Sequence, residues 1–244
     1  MNILITGVAG LLGSRFADWI IQNNLANVIG IDDLSGGYIE NINSNVIFHN
    51  INLAKDTTQL NQIFDYYKPD YVFHFAAYAA EGLSPFIRKF NYTNNVVATA
   101  NVINACITHK VKRLVFTSSM AVYGNGNGPL NQYAFSKQLS EQELDHGAAV
   151  LRFFNVYGPN EYHKGRMAST ILHWYNQIQE TGMVYDKQGN PMPLPGYMER
   201  KASIAATEET AREAAKSHYT LVEVQDPDGT IRKVPQSDLM AELQ

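Results

Sequence analysis

Short runs of β-branched and aromatic residues recur along the first three quarters of the chain, and most are apolar at every position rather than at alternate ones. Ile3 to Thr6, Val28 to Ile31, Val46 to Phe48, Tyr71 to Phe75, Leu114 to Thr117 and Val150 to Phe154 read as strands. A strand that is apolar throughout is buried on both faces, as in a parallel sheet covered by helices. Between these runs the pattern predicts helices at roughly 11–23, 57–67, 93–108, 132–145 and 167–180. Strand and helix alternate, so the expected fold class is α/β, a doubly wound parallel sheet.

The pattern changes near residue 180. Of the 27 aromatic residues, 24 precede that point and only Tyr185, Tyr197 and Tyr219 follow it. Five of the nine prolines and 17 charged side chains lie in the last 64 residues. Those residues open with Gln188-Gly189-Asn190-Pro191-Met192-Pro193-Leu194-Pro195-Gly196, which suits neither a helix nor a central strand. Further on, Thr207 to Lys216 reads as a helix with acids in its first turn. Tyr219 to Val224 and Thr230 to Val234 read as a hairpin around Asp226-Pro227-Asp228-Gly229. The expected organisation is a nucleotide-binding domain over 1–180, a connector over 181–200 and a small α+β tail over 201–244.

Composition narrows the function classes. In 244 residues, 45% are hydrophobic and 17% charged, an ordinary globular balance. A net charge of -4 predicts no general attraction to nucleic acid or anionic membrane. Cys106 is the only cysteine, and the seven histidines never form H-x-H or H-E-x-x-H, so neither a disulfide framework nor a metal site is expected. No run approaches the roughly 18 to 20 apolar residues of a membrane helix, and Met1-Asn2-Ile3-Leu4-Ile5 has no leader-like pattern. The expected compartment is the cytoplasm.

The first strand runs into Gly7-Val8-Ala9-Gly10-Leu11-Leu12-Gly13, a G-x-x-G-x-x-G loop that opens a helix. Gly7 permits the turn, Gly10 lets a pyrophosphate approach the backbone, and Gly13 lets the helix pack on the strand, with Leu11 and Leu12 in the helix N-terminus facing the phosphates. Asp32 follows nineteen residues after Gly13, where its carboxylate can accept both ribose hydroxyls and repel a 2'-phosphate. A Rossmann-like site for NAD, rather than NADP, is the expectation. Asp33 is read as a turn residue before Ser35-Gly36-Gly37.

A second group lies further along. Thr117-Ser118-Ser119 ends the fifth strand, and Tyr133 and Lys137 follow, four residues apart, on one helix face. An ammonium beside a phenol favours the phenolate and makes tyrosine a general base. Ser119 is placed to hold the reacting oxygen. Ser119, Tyr133 and Lys137 are therefore the candidate catalytic residues. Tyr197 and Lys201 repeat the spacing with no strand or serine before them, and carry no such reading.

These features resemble the extended short-chain dehydrogenase/reductase family, in its NAD-dependent nucleotide-sugar epimerase and dehydratase branch. The likeness covers about residues 1–180 and includes Asp32-Asp33-Leu34-Ser35, Phe73-His74-Phe75-Ala76-Ala77, Asn94-Asn95-Val96, Thr117-Ser118-Ser119 with Tyr123-Gly124, and Leu151-Arg152-Phe153-Phe154-Asn155-Val156-Tyr157-Gly158-Pro159. It adds Asn52, Leu53, Phe75, Ala76, Ala77, Asn95 and Thr117 to the cofactor set, with Tyr133 and Lys137, and makes Asn155 a contact of a nucleotide-sugar substrate. His74 is read as core packing. Met120-Ala121 stands where dehydratases of this branch usually carry Asp-Glu, so the resemblance implies an epimerase like UDP-glucose 4-epimerase. Glu161-Tyr162-His163-Lys164-Gly165-Arg166 looks instead like ADP-glyceromanno-heptose 6-epimerase, which would give Lys164 an acid/base role against the alternative of a solvated loop lysine. A homodimer through helices 93–108 and 132–145 is the family expectation.

Departures from the family favour an alternative, a noncatalytic NAD-binding module whose tail makes a protein contact. Asn125 to Asn131 is shorter than the usual loop, which bears on how closely Tyr133 approaches Ser119. Residues after 183 resemble nothing in the family's substrate-binding half.

Overall fold

A computed structural model describes residues 1–144, 147–158, 168–181, 183–185, 190–192, 221–225 and 231–235. They fall into two units, residues 1–154 with 222–234, and residues 155–221 with 235–244.

The first unit is built on a sheet whose strands are β1 (Asn2–Thr6), β2 (Asn27–Asp32), β3 (Ile47–Asn50), β4 (Tyr71–His74), β5 (Arg113–Ser119) and β6 (Ala149–Phe153). These six pair in parallel in the order β3-β2-β1-β4-β5-β6. Ile3 lies opposite Val28 on one side and Tyr71 on the other. The strands match the apolar runs within a residue or two, because a strand covered on both faces must be apolar on both. Ile3, Leu4 and Ile5 are fully buried. Each such side chain stabilises the fold by about 1.5–3 kcal/mol relative to exposure.

Helices α1 (Leu11–Gln22), α2 (Thr57–Tyr67), α3 (Arg88–Tyr92), α4 (Ala98–Thr108) and α5 (Gln132–Gln142) accompany the sheet. Phe16 and Ile20, one turn apart on α1, are buried, and Phe16 meets Phe73 with ring centroids 4.5 Å apart. Leu60 and Phe64 of α2 join Val102 and Ile103 of α4 in a core with Leu4, Ile29 and Val72. The chain leaves β1 for β2 on one side and returns at β4 on the other, so the order reverses at β1/β4. A doubly wound fold binds ligands beyond the carboxyl ends of the strands at that reversal.

The helix expected over 93–108 starts earlier and is not regular. α3 passes into a π turn at Thr93–Val97 before α4 begins. The Asn95 carbonyl accepts from Thr99 Oγ1 at 2.5 Å and from Ser140 Oγ at 3.1 Å, and such competition for a helical carbonyl accompanies a widened turn.

The two β-favouring runs near the end of the chain form β9 (Leu221–Gln225) and β10 (Ile231–Pro235). β9 pairs antiparallel with β6, Leu151 opposite Val224, and β10 lies outside it. The helix expected over Thr207 to Lys216 lies outside the described residues. The second unit contains α6 (Thr170–Thr181) and the two-stranded ribbon β7 (Val184–Tyr185) with β8 (Pro191–Met192), in which Tyr185 faces Pro191. Proline is accommodated there because such a strand is an edge. Among the described residues no helix is long and apolar enough to cross a membrane, and no group of His, Cys, Asp or Glu could hold a metal ion.

Candidate active site

β1 ends in Thr6, and Gly7 turns the chain with φ +72°, in the left-handed region that favours glycine. A Cβ on Gly13 would lie 2.2 Å from the Gly7 carbonyl oxygen, so α1 packs on the turn at a distance that only glycine allows. Gly10 is the N-cap of α1 and supplies no side chain, leaving the first-turn N–H groups without a side-chain cap. A helix N-terminus of this kind favours an anion.

The loop forms one wall of a cleft with an empty volume of about 670 Å³, including space open to solvent. Of the residues expected to hold the cofactor, Gly7, Gly10, Asp32, Asn52, Leu53, Phe75, Ala76 and Ala77 line it. Asp33, Ser35, Gly36, Ile51, Ala54, Tyr78, Asn94 and Ala98 line it as well. Leu11, Leu12, Gly13, Asn95, Thr117, Tyr133 and Lys137 are not among the lining residues. Asp32 accepts from the Ala9 N–H through Oδ2 at 3.0 Å and from the Leu34 N–H through Oδ1 at 2.8 Å. One bond to each oxygen fixes the orientation of the carboxylate in the cleft wall.

Asp33 is a turn residue, as its sequence suggests, accepting from the Ser35 N–H at 3.0 Å. It has a second task that the sequence did not signal. Its Oδ2 accepts from Asn52 Nδ2 at 2.6 Å, while Asn52 Oδ1 accepts from the Ala54 N–H at 3.1 Å. The amide of Asn52 is thereby oriented across the cleft floor.

His74 is a core residue, also as read. It is fully buried; Nδ1 contacts Thr6 Oγ1 at 2.6 Å and Nε2 contacts Thr99 Oγ1 at 2.9 Å. Because Thr99 spends its proton on the Asn95 carbonyl, Nε2 must be the protonated nitrogen and Nδ1 the acceptor. Burial, with a smaller contribution from the charge of Lys137, brings His74 down to about 3.

Asn95 was expected to support the nicotinamide half of the cofactor. Instead it is buried and tied to protein: its Oδ1 accepts from the Tyr78 N–H at 2.7 Å, and its Nδ2 donates to the Tyr78 carbonyl and to Ser136 Oγ, each at 3.1 Å. Its neighbours Asn94 and Ala98 reach the cleft.

Ser119, Tyr133 and Lys137 come together. Ser119 ends β5 and caps the 3-10 turn Met120–Tyr123, its Oγ accepting from the Ala121 N–H at 3.2 Å. The short segment beyond is closed by Gly124, at φ +53°, where a Cβ would fall 2.0 Å from the Gly128 carbonyl oxygen. The Gly126 and Gly128 N–H groups both donate to the Tyr123 carbonyl, at 3.0 and 3.2 Å. This coil spends few residues and delivers Asn131 as the N-cap of α5, with Oδ1 accepting from the Ala134 N–H at 2.9 Å. Tyr133 follows in the first turn of α5, near enough to Ser119 for the serine hydroxyl to favour its phenolate.

The expectation that Lys137 lowers the Tyr133 phenol needs correction. Burial foremost pushes the phenol up, the Ser119 bond opposes this, and the Glu81 carboxylate adds to the rise. Lys137 is turned elsewhere: its Nζ donates to the Thr117 carbonyl at 2.7 Å and lies 5.0 Å from the Phe116 ring centroid. Burial brings this amine down to about 7, against the pull of Glu141. Glu141 in turn pairs with Arg152, Nε to Oε1 at 3.0 Å and Nη2 to Oε2 at 2.7 Å. Arg152 also donates to the Tyr123 hydroxyl at 3.1 Å, linking β6 to the turn after Ser119.

Of the expected substrate contacts, Asn155 is exposed and belongs to the second unit, and Lys164 lies outside the described residues.

A parallel sheet in this strand order, with a glycine turn at its reversal, defines a dinucleotide-binding α/β protein. Residues 3–197 match the model of the NAD dependent epimerase/dehydratase family, and the chain belongs to that family. It is 33% identical over 199 residues to the ADP-L-glycero-D-manno-heptose-6-epimerase of Brachyspira hyodysenteriae, covering 72% of this chain and 61% of that protein. The structure of Thermotoga maritima UDP-glucose 4-epimerase with UDP-glucose superposes with a TM-score of 0.70 at 29% identity, covering 77% of this chain and 66% of the other. Thermus thermophilus UDP-glucose 4-epimerase in complex with NAD gives 0.61 at 30% identity, covering 66% and 57%. The chain thus spans less than two thirds of the length of each of these relatives.

Proposed function

We propose that the chain is an NAD-dependent nucleotide-sugar epimerase acting on a UDP-hexose, with Ser119, Tyr133 and Lys137 as its catalytic group. The observation that carries this reading is the gathering at the end of β5 of Ser119, of the buried Tyr133 whose phenol the serine hydroxyl favours as phenolate, and of Lys137, buried one helical turn further on and bonded to the Thr117 carbonyl. The cleft fits the cofactor: the glycine turn leaves room for a pyrophosphate, the uncapped α1 terminus suits its charge, and Asp32 suits a ribose. The chemistry that NAD+ supplies when bound is reversible hydride transfer, with a positive charge on the nicotinamide that favours the phenolate.

The protein's own residues handle the proton. Ser119 holds the sugar hydroxyl oxygen, and Tyr133 takes the hydroxyl proton as the carbon becomes a carbonyl. After the keto sugar has turned over, Tyr133 returns the proton to the same oxygen, and the tyrosine ends as it began. Lys137 ties α5 to the end of β5 through the Thr117 carbonyl and so holds the helix that carries Tyr133 beside Ser119.

The solved 4-epimerase structures favour a UDP-hexose, and the Brachyspira relative favours an ADP-heptose as the second substrate reading. As partner we propose a second copy of this chain, docked on the face of α3, the π turn and α5 where Phe90, Val97, Phe135 and Leu139 are exposed. A species of monomer mass in light scattering at micromolar concentration overturns that dimer.

The test of the activity is turnover of UDP-glucose/UDP-galactose, UDP-GlcNAc and ADP-heptose by wild type and Tyr133→Phe, with NAD titration of both. Loss of activity by at least about 100-fold with unchanged NAD binding is expected. If wild type converts no sugar nucleotide while both proteins bind NAD, the chain is a binding module. If neither binds NAD(H), the cofactor assignment fails.

A further inference from the structure

Beyond the catalytic group, one carboxylate reaches toward the tyrosine from a separate element. Glu81 opens the 3-10 turn Glu81–Leu83, in the segment between β4 and α3. The turn is fixed locally, since Ser84 Oγ donates to the Glu81 carbonyl at 2.8 Å and the Ser84 N–H donates to the carbonyls of Ala80 and Glu81. Glu81 Oε1 accepts from Asn131 Nδ2 at 2.7 Å, fifty residues further along the chain. The other end of the same amide caps α5: Asn131 Oδ1 takes the Ala134 N–H at 2.9 Å, and the Asn131 carbonyl takes the Phe135 N–H at 2.9 Å. Tyr133 lies between Asn131 and these two positions.

We propose that Glu81 is a positioning residue for Tyr133: its carboxylate orients Asn131, the cap of the helix that carries the tyrosine, and sets a fixed negative charge beside that helix's first turn.

Both parts follow from the geometry. An asparagine cap has two usable ends, and rotation about its side chain exchanges oxygen for nitrogen. A carboxylate accepts only, so holding Nδ2 forces Oδ1 toward the Ala134 N–H. The other charged or polar groups around the phenol leave Glu81 a distinct part. Ser119, from the end of β5, favours the phenolate; Lys137, on α5 itself, is committed to the Thr117 carbonyl; His74, on β4, is neutral at physiological pH; and Glu141 acts on Lys137. Burial disfavours the phenolate most, and Glu81 is the carboxylate that adds to that effect.

The inference rests on the acid–base role given to Tyr133 above, and its test reads the tyrosine rather than turnover. The full chain is labelled with [13Cζ]tyrosine, Tyr133 is assigned with Tyr133→Phe, and the phenol is titrated by NMR alongside amide exchange at Ala134 and Phe135. Glu81→Gln keeps an acceptor for Asn131 and removes the charge. It is expected to move the Tyr133 titration to lower pH and leave exchange at both amides unchanged. Asn131→Ala is expected to speed exchange about fivefold, the effect of losing a cap. Glu81→Ala is expected to do both, with a smaller exchange effect, about twofold, because the exposed bond it removes is a weak one. The titration difference between wild type and Glu81→Gln shrinks as salt rises from about 0.05 to 0.5 M. Coincident titrations at low salt, including phenols that both stay protonated to the end of the range, overturn the proposal, as does unchanged exchange in Glu81→Ala. A wild type that converts no sugar yet gives these shifts refutes the activity and leaves the positioning intact.

Discussion

Lys137 Nζ donates to the carbonyl of Thr117 at 2.7 Å, joining α5 to the strand that ends in Ser119. The amine sits in protein interior, and burial brings it from an ordinary 10.5 down to about 7. In the unfolded chain it keeps the ordinary value, so between about 7 and 10.5 the unfolded state binds a proton that the folded state releases. Stability therefore rises with pH across that window, by at most about 1.4 kcal/mol per pH unit, and the burial penalty is fully present below it. Lys137→Met is expected to flatten the rise in urea-unfolding measurements between pH 6 and 9.5. Parallel profiles for the two proteins contradict the burial of a titrating amine.

His74 acts in the same sense at lower pH. Its folded value near 3 lies below the ordinary 6.5, so its contribution is complete above 6.5 and is lost progressively as pH falls toward 3. His74→Gln is expected to lower stability at pH 7 by about 1–3 kcal/mol through the broken Thr6–His74–Thr99 chain, and to show a shallower acid limb than wild type. Denaturant titrations at pH 7, 5.5 and 4 separate the two effects.

Two glycines near the cleft give opposite expectations. A Cβ on Gly13 would meet the Gly7 carbonyl oxygen at 2.2 Å and Val8 Cα at 2.8 Å, both backbone. Gly13→Ala should cost roughly 1–3 kcal/mol of stability and, by shifting α1, weaken NAD binding at least about tenfold, some 1.4 kcal/mol. Gly36 lines the same cleft but has nothing within 4 Å of such an atom. Gly36→Ala should leave stability unchanged within about 0.5 kcal/mol, as thermal melts and calorimetric NAD titration will show.

The Arg152–Glu141 pair is nearly enclosed, with side chains 18% and 11% exposed. Removing one partner strands the other, at about 2–3 kcal/mol. Glu141→Ala and Arg152→Ala are each expected to destabilise by that amount and the double variant by much less than their sum. A double-mutant cycle that adds without coupling would remove the pair from the account of how β6 is held to α5.

What the sequence disclosed follows from the range of each signal. The six parallel strands, the glycine turn and the Tyr133/Lys137 spacing are written in residues a few positions apart, and local periodicity reports them. The bonds from Asp33 to Asn52, Glu81 to Asn131 and Glu141 to Arg152 join positions that only the finished fold brings together, and polar residues there look like ordinary surface. The π turn at Thr93–Val97 escaped for the same reason, since two of its bonds come from Ser136 and Ser140 on another helix. Lys137 was found, but its direction was not: sequence spacing set it beside Tyr133, and burial turned its amine to the Thr117 carbonyl.

Asn95 accepts from the Tyr78 N–H with its Oδ1 and donates to the Tyr78 carbonyl with its Nδ2, and the same nitrogen donates to Ser136. A wall of the cleft and the helix bearing the tyrosine thus share one fastening, out of reach of solvent. Neither can open while the other stays shut without leaving a buried amide unpaired, so the two halves of the site make up one cooperative unit. Anything that moves the Tyr78 wall must therefore carry α5 with it or break that buried set of bonds.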